Sequence, residues 1–376
     1  MAGATARKSN PGRGEEHILV LQGGGALGAY QAGVYEVLAA KDELPHWVAG
    51  ISIGAINAAL IAGNPPAQRV ARLREFWETV TAAYSSLFPL APGVEMRSAF
   101  NGAVATMDSI FGLPGFFTPR VPAFKAISLY DTAPLKATLE KLVDFDLLNH
   151  HAVRLSVGAV NVRTGNFAYF DTKTQRLDTR HIMASGALPP GFPPIEIDGE
   201  WYWDGGLVSN TPLQYVLDQP GDRRRLVFQV DLFPAEGPLP TSLPEVADRE
   251  KDIRFSSRTR LNTTNALQRE ALAQAVRRLA VRLPRKFEND PDLLAIEAAS
   301  HQTAVTVVHM IYRRKGYEAQ SRDFEFSRYS MREHWQAGKA DMTHTLEHPA
   351  WRNRRKPREG VRVFDLTPKT AQAAHK

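Results

Sequence analysis

The segments Ile18–Ala40, ILVLQGGGALGAYQAGVYEVLAA, and Trp47–Asn64, WVAGISIGAINAALIAGN, decide the fold. Ile18-Leu19-Val20-Leu21-Gln22 is a continuous apolar run, the pattern of a strand covered on both faces. Gly23 to Gly28 interrupts it, and from Ala29 onward Tyr30, Val34, Val37 and Leu38 recur at helical spacing. Trp47-Val48-Ala49 predicts a second strand and Gly50-Ile51-Ser52-Ile53-Gly54 a sharp turn. The alanine-rich run to Ala62 predicts a second helix, closed by Gly63. Strand, glycine loop, helix, strand, serine turn, helix is the order of an α/β fold with parallel strands.

Each loop invites a reading. Gly23-x-Gly25-x-x-Gly28 fits the dinucleotide fingerprint, which also needs an acidic residue about 20 positions on, at the end of the next strand. Asp42 and Glu43 come before that strand, and its end carries Ser52, so the dinucleotide reading loses. Gly50-x-Ser52-x-Gly54 is the nucleophile-elbow pattern, in which small neighbours let a serine sit on a strained strand-to-helix turn. The helix N-terminus behind it favours developing negative charge. Together the loops suit acyl transfer, with Ser52 attacking and the N–H groups of Gly23, Gly24 and Gly25 binding the oxyanion. One such donor is typically worth about 2.7–4 kcal/mol of barrier.

The serine needs a base. The order Ser, acid, His of the α/β-hydrolases nominates His301 or His309 behind Asp204. Only one strand fits before Gly50, however, and neither histidine lies in a small-residue loop. His309 sits within an apolar run and reads as packed core. Asp204 ends a strand and precedes Gly205-Gly206, which lets its backbone approach the serine closely. An ordinary aspartate, with a pKa near 3.9, is a weak base, so burial must strengthen it. Trp201, Tyr202 and Trp203 are the expected wall.

Gly23 to Gly28, Gly50 to Gly54 and Asp204-Gly205-Gly206, in this order, resemble the patatin-like phospholipase family over residues 17–235. The resemblance implies a three-layer α/β/α sandwich with a mostly parallel central sheet. It also implies a Ser52–Asp204 dyad, an acyl-serine intermediate and lipid acyl esters as substrates, without a cofactor. Gly28, Gly50, Gly54, Gly205 and Gly206 are its motif glycines. Leu27 departs from the pattern, standing where many members carry Arg or Lys. Two other readings keep the scaffold: a thioesterase or hydroxyalkanoate esterase on the same dyad, and a non-catalytic membrane-surface binding protein.

The rest of the 376 residues sets bounds. Zero cysteines exclude disulfides and thiolate chemistry, and no Asp/Glu/His cluster near the motifs has metal-ligand spacing. The net charge of +6 indicates no specific nucleic-acid partner. Residues 1–16 are polar and glycine-rich, without a signal or anchor, so a disordered N-terminus and a cytoplasmic protein are expected, with peripheral membrane contact open. Residues 87–124 hold six phenylalanines and four charges, which suggests either core or an apolar lid with Phe116 and Phe117 binding acyl chains. Residues 236–350 read as a helical C-terminal extension with a helix over 265–283 and one core strand, and 351–376 as a basic tail.

Overall fold

The computed structural model describes residues 15–82, 93–120, 126–150, 152–221, 223–257, 290–299, 304–313, 322–355 and 360–367, with scattered positions elsewhere after 267. The expectation for the N-terminus lies outside the described residues apart from its last two positions, and that for 265–283 lies partly outside them, the positions described between 268 and 280 being helical. The strands are β1 (Glu16–Leu21), β2 (Trp47–Gly50), β3 (Thr118–Pro119), β4 (Tyr130–Asp131), β5 (Arg154–Asn161), β6 (Phe167–Asp171), β7 (Ile195–Ile197), β8 (Glu200–Asp204), β9 (Arg225–Asp231), β10 (Val305–Ile311) and β11 (Val361–Phe364). The α-helices are α1 (Ala29–Ala40), α2 (Ile53–Ala62), α3 (Arg69–Val80), α4 (Val94–Phe111), α5 (Ala133–Leu142), α6 (Phe145–Asn149), α7 (Thr179–Ser185), α8 (Leu213–Asp218), α9 (Leu243–Phe255), α10 (Pro291–Ala299), α11 (Arg328–Glu347) and α12 (Pro349–Arg352).

Nine strands form one sheet in the order β11-β10-β9-β1-β2-β5-β8-β7, with β6 also on β5. From β11 to β5 the pairing is parallel; β6, β7 and β8 add antiparallel ladders at one end. Side chains alternate across β1, so Leu19 and Leu21 enter the large core beneath α1, α2 and α3. Ile18 and Val20 enter a smaller core with Leu213 and Val216 of α8. This is a three-layer α/β/α sandwich with a mostly parallel sheet.

The expected boundary at residue 235 runs through this sheet. β10 pairs on β9 along seven residues, and β11, within the stretch read as a basic tail, pairs on β10. α11 packs across α1 at a glycine crossing. A Cβ on Gly33 would lie 2.0 Å from Trp335 O, and one on Gly338 would lie 2.1 Å from Tyr30 O. The two backbones therefore touch.

α4 turns two of its three charged residues inward and several large apolar ones outward. Arg97 faces inward and donates to Ser330 Oγ and Glu333 Oε2, while Asp108 accepts from Phe326 N at 2.9 Å. Asn101 is buried beside them, whereas Met96, Met107, Ile110 and Phe111 face solvent, Phe111 at 72% exposure. Among the described residues no helix is long and apolar enough to cross a membrane.

Candidate active site

The sheet reverses its winding direction between β1 and β9. β2 and β5 lie on one side of β1, and β9, β10 and β11 on the other. A crevice outside the carboxyl ends of strands at such a point is where open α/β sheets bind ligands. Gln22-Gly23-Gly24-Gly25 leaves β1 there and Leu232-Phe233 leaves β9.

β2 ends with Gly50 opposite Val157 of β5. A Cβ on Gly50 would lie 2.3 Å from Gly54 O, and one on Gly54 would lie 2.4 Å from Leu21 O, so the turn closes only with glycine at both places. Ser52, between them, takes φ 55° and ψ −125°, a strained conformation for a residue with a Cβ. Its N–H donates to Ser185 O and Oγ, both at 3.1 Å, which leaves the hydroxyl to face the crevice.

The elbow turns away from β5 just where β8 arrives. β6 covers one edge of β5 from Ser156 to Val160, so β2 and β8 share the other edge in succession. Asp204 pairs opposite Ala159, two residues beyond the partner of Gly50. This register brings Ser52 and Asp204 together across 152 positions of chain. The Ser52 hydroxyl and the Gly206 N–H both act on the Asp204 carboxylate as hydrogen-bonding groups, Gly206 N donating to Oδ1 at 2.7 Å. Asp204 is 2% exposed. Burial pushes its pKa up to about 7, against the opposing effect of those two hydrogen bonds.

The wall that buries Asp204 is not the expected one. Trp201 is 42% exposed, Tyr202 packs on Phe170, and neither they nor Trp203 line the cavity. The cavity, of about 360 Å³, is lined instead by Phe192, Phe233, Phe255 and Phe326 with Phe116 and Phe117. Phe116 and Phe117 are each 8% exposed and pack on Phe192 at centroid distances of 5.9 and 5.4 Å. A shallow trough along α3 holds none of the motif residues.

No histidine lines the cavity among the described residues. His309 Nε2 lies 2.5 Å from Asp231 Oδ2, outside the cavity, and His301 falls outside the described residues. Among the described residues there is also no group of three metal-ligating side chains. Leu27 is fully buried in the large core.

The glycine loop divides its donors. Gly23 N donates to Asn210 O at 3.1 Å and Ala26 N to Asp323 O at 2.9 Å, while among the described residues Gly24 N and Gly25 N have no backbone acceptor. Asn210 escaped the sequence reading. Its Nδ2 donates to Gly23 O and to Phe255 O, so one side chain ties the glycine loop to the end of α9. An asparagine six residues after an aspartate in a turn-rich stretch has no signature of its own.

A family model described as patatin-like phospholipase matches residues 19–217, and one described as patatin phospholipase matches residues 253–358. The cGAMP-activated phospholipase of Pseudomonas aeruginosa (strain BWHPSA011 / Pa011) is 26% identical over 209 residues, which cover 52% of this chain and 54% of that protein. The chain therefore spans about half the length of this curated relative. Among solved structures, VipD from Legionella pneumophila is 12% identical with a TM-score of 0.31, covering 86% of this chain and 67% of that one. ExoU in complex with SpcU from Pseudomonas aeruginosa is 16% identical with a TM-score of 0.28, covering 89% of this chain and 71% of that one. Scores this low carry no weight for fold or function. The patatin-like model alone matches just over half of the 376 residues, and on that extent the chain belongs to the patatin-like phospholipase family.

Proposed function

We propose that the protein is a lipid acyl hydrolase that works through a Ser52–Asp204 dyad. The observation that carries this reading is a buried carboxylate, Asp204, lining the same cavity as the strained Ser52, with no histidine on that cavity among the described residues. Ser52 Oγ attacks the acyl carbon as Asp204 takes its proton. The oxyanion that forms meets the N–H groups of Gly24 and Gly25, whereas that of Gly23 is committed to Asn210. Collapse expels the alcohol, which receives the proton from Asp204, and leaves an acyl-serine. Asp204 then takes a proton from water, hydroxide adds to the acyl carbon, and the fatty acid leaves as Ser52 is restored.

Phospholipids, lysophospholipids and related lipid esters suit the cavity. Its volume lies in the usual range of small-molecule sites, and its phenylalanine lining accepts an alkyl chain. The outward face of α4 supports contact with a lipid surface. Met107, Ile110 and Phe111 are exposed on it, and the exposed Ile127 and Leu129 follow on the loop before β4, where Leu129 also lines the cavity.

Labelling with a fluorophosphonate probe, followed by mapping of the modified residue, tests the nucleophile without knowledge of the substrate. The label is expected on Ser52. Ser52→Ala is expected to abolish both labelling and hydrolysis of a p-nitrophenyl acyl ester with thermal unfolding nearly unchanged. Normal turnover by that variant sinks the reading.

A further inference from the structure

Two pieces from beyond residue 240 close over the glycine loop: α9 and the segment Arg322–Phe326. Asp323 O accepts from Ala26 N, and a Cβ on Gly25 would lie only 2.1 Å from that oxygen and 3.5 Å from Asp323 Cβ. Asp323 thus lies against the loop, and it lines the same cavity as Ser52. Its carboxylate is ion-paired with Lys251 of α9, both side chains being 12% exposed. The neighbouring residues pair with the charges reversed, Arg322 with Asp252. Lys251 Nζ also lies 4.9 Å from the Phe324 ring centroid. Consecutive residues of the segment are therefore fastened to consecutive residues of α9.

A buried carboxylate beside an oxyanion loop is a liability. Negative charge develops on the substrate in the transition state, and a like charge close by in a poorly hydrated cavity opposes it. We propose that Lys251 is a positioning residue of the hydrolytic site: it holds Asp323 against the glycine loop and cancels a charge that would oppose the oxyanion. This rests on the serine-hydrolase reading above.

The charged groups acting on Asp323 are Lys251 from α9 and Arg322 from its own segment; both favour the ionised form, against burial, which raises its pKa. Removing the ammonium raises the pKa of Asp323 further. The carboxyl is then neutral and harmless at low pH, and ionises without its partner as the pH rises.

The test uses the full chain with the variants Lys251→Met, Lys251→Arg and Lys251→Met/Asp323→Asn. For each, kcat and KM on a short soluble p-nitrophenyl ester are compared with wild type from about pH 6 to about pH 9. For Lys251→Met, the kcat ratio to wild type is expected to fall with rising pH, to roughly tenfold below wild type or lower at the alkaline end, with KM little changed. Lys251→Arg is expected to stay within a few-fold of wild type. The double variant is expected to regain most of the loss and to show a ratio independent of pH.

A ratio for Lys251→Met that stays constant with pH, or a double variant no better than the single one, overturns the proposal and leaves Lys251 as packing alone. Should Lys251→Met lose its thermal transition, the double variant carries the test because it removes both charges of the Lys251–Asp323 pair. It must then fold and turn over substrate, and its inactivity overturns the proposal. Failure of the serine-hydrolase reading shows separately, as hydrolysis that persists in Ser52→Ala.

Discussion

Asp204 answers two opposed demands. On the proposed dyad it must be basic enough to take a serine proton, and burial favours this by pushing its pKa up to about 7. The same burial weakens the fold. A carboxyl with a raised folded-state pKa contributes its full stability below its unfolded value, and that contribution is lost as the pH rises through about 7. Hydrolysis is therefore expected to rise with pH through about 7, as the base ionises. Asp204→Asn is expected to be as inactive as Ser52→Ala, because the two residues act as one unit. It is also expected to be more stable than wild type at alkaline pH, by at most about 4 kcal/mol, with the gap closing towards pH 4. Thermal unfolding of both proteins across that range checks the sign, and a wild type that gains stability above pH 7 relative to the variant contradicts it. The candidates Ser52 and Asp204 were nominated by the sequence because each carries its mark locally, in flanking glycines. Asn210, Lys251 and Asp323 were not, since each acts through a contact with chain 72 to 297 residues away that no local pattern records.

At the scale of elements, the glycine-interrupted unit from β1 to α2 was readable because buried parallel strands and alanine-rich helices write continuous apolar runs. α4 was not. Met96, Met107, Ile110 and Phe111 face outward while Arg97 and Asp108 face inward, so its low charge and its phenylalanines read equally well as lid or core. The structure divides that stretch: Phe111 is exposed on the helix, while Phe116 and Phe117, past the turn, line the cavity. If those two rings hold the acyl chain, replacing both by serine is expected to weaken hydrolysis of long-chain esters far more than that of short ones. Each methylene no longer buried costs about 0.8 kcal/mol, so the deficit in kcat/KM should widen steadily along a series of p-nitrophenyl esters. An equal loss at every chain length, with Tm unchanged, removes them from the acyl site. An equal loss with a large fall in Tm makes them core.

For the whole molecule, the central strand β1 has one neighbour, β2, close in sequence and another, β9, about 200 residues later. β10, β11 and α11 then complete the sheet and the layer over α1. A chain ending at residue 235 keeps every motif, yet it exposes the edge of β9 and the face of α1 that meets α11. It is expected not to fold cooperatively and to show no fluorophosphonate labelling, as circular dichroism melts and the probe would report. The sequence suggested otherwise because the motifs stop near residue 206, whereas the sheet that supports them does not. The α1–α11 glycine crossing has a consequence in time. During synthesis the serine, the base and the glycine loop leave the ribosome long before the helix that braces α1, and domains form only when their parts are present. If the site cleaves lipids as proposed, assembly in this order is expected to keep it silent on the nascent chain until α11 has been made, which spares nearby membranes from half-made copies.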